Sequence, residues 1–263
     1  TWRSRADTSP LAASAPYAGT VAEWRGACAA ADGAEPSQAR TVFETHFAPH
    51  QVVSEGGQAK LTGYFEPVIA ASRSPTAAHR EPILRRPDDM VSIDLAAFAE
   101  ALDNAALRGG PRRLTGQQVG DQVRPYPQRG AITPGPGQAF AYAHPSDVYN
   151  LQVQGSGRLR FGDGSEVRAA YAAQNGYRWR SAPAALAQAG RLPPGEGLWD
   201  RFRRYLDSAT PQDARAALAL DPSYVFFAEE PLTVTGDGPR GASGVALTAL
   251  GSVAVDPAFH PYG

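Results

Sequence analysis

Three short stretches of the sequence concentrate side chains able to hold or transform a polar ligand. In Leu61-Thr62-Gly63-Tyr64-Phe65-Glu66-Pro67 a glycine lets the backbone approach a neighbour closely, and a hydroxyl, two aromatic rings and a carboxylate surround it. Aromatic faces beside polar groups suit sugar rings, whose C–H faces stack while their hydroxyls form hydrogen bonds. The plainer alternative is a strand that ends at Pro67 with Tyr64 and Phe65 on opposite faces. In Tyr149-Asn150-Leu151-Gln152-Val153-Gln154-Gly155-Ser156-Gly157, read as a strand, Gln152 and Gln154 share one face and Leu151 and Val153 the other. Two amides in line are poor core material, so that face meets either solvent or a polar ligand. Tyr171 to Ser181 packs Gln174, Asn175, Tyr177, Arg178, Trp179 and Arg180 into eleven residues, which reads as a binding segment or as an exposed strand and turn.

Other chemistries find little support. His46 and His50 have helical metal-ligand spacing, but Pro49 breaks the helix and no glutamate takes the metalloprotease position. Ser156 lies in Gly-Ser-Gly rather than in a Gly-x-Ser-x-Gly nucleophile elbow, and the Ser243 segment fails the same test. Lys60 is the only lysine, and no phosphate-cradling glycine loop accompanies it. Cys28, the single cysteine, excludes an internal disulfide and reads as a small apolar filler. No metal and no organic cofactor is expected.

The elements that must position these stretches are short. A helix is predicted over Ser37–Phe47, and a strand over Leu61–Pro67. A second helix, capped by Asp94, spans Leu95–Leu107, where Leu95, Phe98, Leu102 and Leu107 recur at near-helical spacing. Residues 111–145 read as loop because Gly, Pro, Gln and Arg erase periodicity. A strand is expected over Val148–Val153. A hairpin follows, built from Arg158–Phe161 and Glu166–Tyr171 around the turn Gly162-Asp163-Gly164-Ser165. Helices are predicted over Ala184–Ala189, Leu198–Leu206 and Gln212–Leu220, the last opened by Thr210-Pro211. Tyr224–Phe227 reads as a buried strand and Gly244–Val255 as two more. A mostly β protein with short helices is expected.

Bulk properties agree. The 263 residues suffice for one large or two medium domains, and a net charge of -1 with 19% charged residues argues against nucleic acid as a partner. Frequent Gly and Pro favour strands and turns over long helices. No run of about 18 apolar residues appears, and residues 1–18 read as a linker rather than a signal peptide.

In this order and at these separations, the stretches resemble the membrane-bound lytic transglycosylase A family. The resemblance rests on Thr62 to Pro67, Leu151 to Gly157 with Phe161 to Gly164, Tyr171 to Gly176 with Arg180-Ser181, Pro222 to Phe227, and Ser252 to Pro257. It implies a double-psi β-barrel domain from residues 19–66 plus 224–263, an inserted β-rich substrate-binding domain over 67–223, and a groove between them. Thr62, Gly63, Tyr64, Glu66, Gln152, Gln154, Ser156, Tyr171, Asn175 and Tyr177 would meet the glycan strands of peptidoglycan. The implied activity is cleavage between N-acetylmuramic acid and N-acetylglucosamine with closure of a 1,6-anhydro ring. A periplasmic location, an outer-membrane lipid anchor upstream of Thr1 and other cell-wall enzymes as partners go with it. The family's catalytic aspartate lies in an Asp-x-Gly-Gly-Ala-Ile-like motif that is absent here, so no residue of the chain is assigned the acid role and the aspartate is expected beyond Gly263. Two other readings keep the groove without the chemistry: a non-catalytic peptidoglycan-binding protein, and a scaffold in a cell-wall assembly.

Overall fold

The computed structural model describes residues 19–49, 65–108 and 111–232, together with positions 8, 238, 239, 241, 246–249 and 251–253. Residues 61–64 of the expected strand at Leu61–Pro67 lie outside these residues, and of the strands expected over Gly244–Val255 the described positions form an isolated bridge at Ala246 and turns in which the Gly251 and Ser252 amides return to the Thr248 carbonyl. The chain divides into two compact units, one formed by Thr1–Gly63 with Arg240–Gly263 and the other by Tyr64–Pro239. In the first, α1 (Val21–Asp32) starts from a capping box in which the Thr20 amide donates to Glu23 Oε2 at 2.7 Å. Helix α2 (Ala39–His46) follows, and its neighbour Phe47 packs edge-on against Trp24 with ring centroids 5.4 Å apart.

The larger unit is built on a six-stranded sheet. Its strands are β1 (Val68–Ser72), β2 (Glu81–Leu84), β6 (Ala139–Ala143), β7 (Gly157–Phe161), β8 (Glu166–Gln174) and β9 (Val225–Pro231), in spatial order β2-β6-β1-β7-β8-β9. Only the β1–β7 pair is parallel. The outer strands approach each other through a parallel bridge between Arg85 and Phe227, which leaves a nearly closed barrel. Ile69, Ile83, Phe140, Leu159, Phe161 and Phe227 fill one core with Val148 and Leu151. Strand β9 pairs antiparallel with β8 from Val167–Pro231 to Gln174–Val225, and so belongs to the same compact unit.

A smaller sheet is formed by β3 (Met90–Asp94), β4 (Arg113–Val119) and β5 (Gln122–Pro125), of which β4 and β5 fall in the stretch expected to be loop. Every residue of β5 is exposed, and β4 buries only Gly116, so neither strand carries the apolar alternation that marks a half-buried strand. What remained readable was the turn: Gly120-Asp121 joins the two strands, with Gly120 at φ 61°. The expected helix at 95–107 is capped as anticipated, the Asp94 carboxylate accepting from the amides of Ala96 and Ala97. It divides into α3 (Leu95–Ala101) and α4 (Ala105–Arg108) where Asp103 takes a left-handed φ of 45°.

The main correction concerns the predicted strand at Val148–Val153, which is α5 (Pro145–Gln154). Its ends carry helix chemistry: Pro145 at the first position, and Gly155 at φ 84° returning its amide to the Leu151 carbonyl. Its buried residues, Pro145, Ser146, Val148, Tyr149, Leu151 and Gln152, follow a helical stripe rather than alternation. Helices α6 (Ala182–Gln188), α7 (Leu198–Ser208) and α8 (Pro211–Leu218) pack with α5 around Tyr149, Leu186, Phe202, Leu206 and Leu218. Thr210 caps α8 by accepting from the Asp213 amide, as the sequence suggested.

Where β7 starts, a Cβ on Gly157 would lie 2.6 Å from Leu151 Cδ1 and 2.9 Å from the Pro67 carbonyl oxygen. Backbone at that position cannot yield as a side chain can. Gly157→Ala is expected to lower stability by about 1–3 kcal/mol in urea denaturation, the usual effect of overpacking; an unchanged midpoint would show that the β1–β7 seam is looser than it looks.

Candidate functional site

The residues singled out in the sequence separate into an interior set and a surface set. Helix periodicity does much of the sorting, because Gln152 and Gln154 lie on different sides of α5 instead of sharing a strand face. Gln152 is 7% exposed. Its Oε1 accepts from Arg129 Nη1 at 2.5 Å and its Nε2 donates to the Val225 carbonyl at 3.4 Å. Asn175 is 1% exposed and sits between a turn and β9. Its side-chain amide donates to the carbonyls of Pro127 and Pro222 at 3.0 and 2.9 Å, and its oxygen accepts from the Tyr224 amide at 2.9 Å. Both side chains are engaged by groups inside the fold. The expectation of polar, unburied amides is corrected for both: buried amides are tolerated here because backbone groups satisfy them.

These contacts belong to one network. Arg129, on the 3-10 turn Arg129–Ala131, is itself buried. Its guanidinium donates to the Asp221 carbonyl at 3.1 Å, approaches the Asp221 carboxylate at 3.5 Å, and lies over the rings of Tyr149 and Tyr224 at 5.2 and 5.0 Å. Asp221 Oδ1 in turn accepts from the Arg180 amide and from both the amide and hydroxyl of Ser223. Burial pushes the Tyr149 phenol up to about 12 and moves Tyr224 upward as well. Sequence reading passed over Arg129 and Asp221, although Asp221-Pro222-Ser223 carries the pattern of an Asx turn.

Glu66 has a second structural task. Arg158 Nε donates to its Oε2 at 2.8 Å and Arg168 Nε to its Oε1 at 3.0 Å, with all three side chains at least three-quarters buried. Arg158 and Arg168 are direct cross-strand partners on β7 and β8, an arrangement of like charges that is unfavourable alone and is offset by the carboxylate between them. Both oxygens of Glu66 are therefore taken by guanidinium donors. Thr62, Gly63 and Tyr64 lie outside the described residues. The surface set is Gln154, the last residue of α5, and Ser156 just after it, both partly exposed, with exposed Tyr171 on β8 and half-buried Tyr177, whose carbonyl accepts from Gln174 Nε2 at 2.8 Å.

Two titratable groups were not anticipated. Burial pushes the half-buried Glu81 carboxyl above its ordinary range, against the opposing pull of Arg129, Arg215 and Arg80. His144 caps α5, its Nδ1 accepting from the Ser146 amide at 3.2 Å and lying 2.7 Å from the Ser146 hydroxyl, while Nε2 meets Asp207 Oδ1 at 2.9 Å. The order Ser-His-Asp suggests a nucleophile, but Ser146 is buried and its oxygen also accepts from Arg203 Nη1 at 3.1 Å, so the arrangement serves as a cap. Among the described residues no group of three His, Cys, Asp or Glu converges on a metal position, and no helix is long and apolar enough to cross a membrane.

The profile of the MltA specific insert domain matches residues 60–228, most of the larger unit. The chain belongs to the MltA family. Among MltA structures, the membrane-bound lytic murein transglycosylase from Agrobacterium tumefaciens superposes with a TM-score of 0.68 at 28% identity, covering 96% of this chain and 68% of that one. MltA from Neisseria gonorrhoeae gives 0.64 at 29% identity, covering 91% and 66%. Membrane-bound lytic murein transglycosylase A of Escherichia coli is 28% identical over 211 residues, 79% of this chain and 48% of the relative. The chain thus spans about half the length of the curated MltA relatives it matches. Its fold, β-sheets joined by short helices around a nearly closed barrel, is that of the MltA structures.

Two outcomes follow from the interior set. Asn175→Ala is expected to destabilise by about 1–3 kcal/mol, since it removes the partner of the Tyr224 amide and of the Pro127 carbonyl, while the Pro222 carbonyl still accepts from the Arg129 amide; a ligand-facing amide would instead keep its melting temperature and lose affinity. The His144 pKa is lowered, first by burial and then by Arg203, with Asp147 and Asp207 pulling the other way. A depressed folded value means stability is complete above the unfolded value of about 6.5 and is lost as pH falls below it. Thermal melts should decline with acidification from about pH 6.5, and His144→Asn, which keeps a capping side chain, should flatten that decline. Equal slopes for the two proteins would remove His144 from the account.

Proposed function

We propose that the protein is a murein lytic transglycosylase, cleaving the β-1,4 bond between N-acetylmuramic acid and N-acetylglucosamine and leaving a 1,6-anhydromuramoyl end. The observation that carries this reading is the structural match across 96% of the chain to a lytic murein transglycosylase. Peptidoglycan glycan strands are the proposed partner, and the periplasm with outer-membrane association the proposed location, in line with the membrane-bound relatives. Gln154, Ser156, Tyr171 and Tyr177, with Thr62, Gly63 and Tyr64, are the proposed contacts.

The reaction needs one carboxyl group. It protonates the glycosidic oxygen and then removes the proton from the muramoyl C6 hydroxyl, which attacks C1 and closes the ring. No second carboxylate is needed because the nucleophile is already tethered to the reacting sugar. Glu66 is a poor candidate, with both oxygens engaged by Arg158 and Arg168. The proposed proton donor is accordingly an aspartate beyond Gly263. The same observation favours a second reading for the 263 residues alone, in which they bind murein without cutting it.

Incubation with purified murein distinguishes these. A gene product of full MltA length should release 1,6-anhydromuropeptides detectable by mass spectrometry, and the 263-residue chain should bind murein while releasing none, since loss of a general acid removes roughly 10²–10⁴ in rate. Anhydro products from the short chain would move the acid role inside it. Absence of both binding and cleavage in the full-length protein would overturn the proposal.

A further inference from the structure

Two of the four tryptophans stand on the surface of the larger unit, and both are fixed to one buried residue. Trp179, in the segment between β8 and α6, is 52% exposed, and Trp199, in the first turn of α7, is 41% exposed. Tyr149 of α5, 1% exposed, lies beneath them. Its hydroxyl donates to the Arg180 carbonyl at 3.2 Å and accepts from the Ala182 amide at 3.1 Å, which locks the segment carrying Trp179. The Trp179 indole N–H lies beside the same hydroxyl. Trp199 packs on the Tyr149 ring at 6.0 Å and stands edge-on to Phe202 at 6.1 Å. Single exposed apolar residues need no explanation, but two large aromatics held on a common rigid support make a preformed surface.

Flanking Trp179 are Arg178 and Arg180, both exposed. Among the described residues neither guanidinium forms a hydrogen bond or ion pair. Flat aromatic faces select rings with an apolar C–H side, and free guanidinium groups beside them select carboxylates. We infer that Trp179 and Trp199 form a stacking platform for amino-sugar rings, with Arg178 and Arg180 receiving carboxylates carried by the same strand. The ligand class is a glycan bearing acidic peptide substituents. The inference rests on the murein reading above and extends it to residues that were not among the expected contacts, among them Trp199, which lies well beyond Tyr177, the nearest expected contact in the sequence. The platform needs no catalytic group, so it serves to hold the strand rather than to cut it.

The test is calorimetric titration of the 263-residue chain with two probes, solubilised peptide-bearing murein fragments and a neutral N-acetylglucosamine oligomer. Trp179→Ala and Trp199→Ala should each weaken binding of both probes by roughly 2–12-fold, the worth of one aromatic contact. Arg178→Gln with Arg180→Gln should weaken the peptide-bearing fragments alone, and the difference should shrink at high salt, where exposed charges are screened. Equal affinity of wild type and both folded tryptophan variants overturns the platform while leaving the murein reading intact. Failure of the wild-type chain to bind either probe overturns the platform, and the murein reading is then decided by the full-length cleavage assay. If an alanine variant does not fold, the arginine pair decides, because those side chains support no buried group: unchanged affinity for peptide-bearing fragments then sinks the inference.

Discussion

A guanidinium group cannot be taken out of water unless its charge and its N–H groups are answered, and the larger unit is arranged around that requirement at Arg129. The residues that answer it come from distant parts of the chain: Gln152 on α5, Asp221 after α8, and the rings of Tyr149 and Tyr224. Each of these is tied again. Gln152 reaches the first residue of β9, Asp221 holds the amide of Arg180 and the turn to Ser223, and Asn175 closes the end of β8 onto the loop at Pro127. The helical layer and the barrel are thereby joined through polar contacts that demand particular geometry, where apolar packing alone would accept many. Replacing Arg129 with an apolar residue would not simply delete a charge. It would leave Gln152 and Asp221 buried without their donor.

Glu66 repeats the same logic at the edge of the unit. Strands β7 and β8 place two arginines opposite each other, and a third segment supplies the carboxylate that makes the pair tolerable. The first residues of the larger unit are consequently pinned by charge as well as by the close approach of Pro67 to Gly157. A residue adjacent to a family motif can therefore be retained for architecture, and its carboxyl group is then a weak guide to catalysis.

How much of this was legible in the sequence depended on whether local chemistry or distant partners decided the outcome. The β7–β8 hairpin, the cap at Asp94 and the Thr210-Pro211 helix start are short-range matters, and they read correctly. The strand–helix confusion at α5 arose because Leu151, Val153 and the two glutamines alternate over four residues, too short a window to separate the periods, while Pro145 and Gly155 at the ends carried the decisive signal. The β4–β5 hairpin was missed because its strands bury almost nothing and so show no pattern. Burial of Gln152 and Asn175 could not be read locally at all, since their partners lie 23 to 73 and 47 to 49 positions away. The reading of the exposed residues fared better: Gln154, Tyr171 and Tyr177 are at least partly accessible.

The division of labour within the amide-rich motifs explains why such segments are easily taken for ligand surfaces. Leu151 to Gly157 and Tyr171 to Ser181 are polar for two separate reasons. Part of each, Gln152 and Asn175, satisfies a buried charge or backbone groups inside the fold. The remainder is turned outward by the same local geometry: two residues along α5 put Gln154 on another side from Gln152, and the turn at Gly176, with φ at 90°, carries the chain from buried Asn175 toward exposed Trp179. The interior set makes the surface set possible, because Tyr149 and Asp221 fix the backbone at Arg180 and with it the direction of the neighbouring indole. The outward face of such a motif is set only together with the charge buried beneath it.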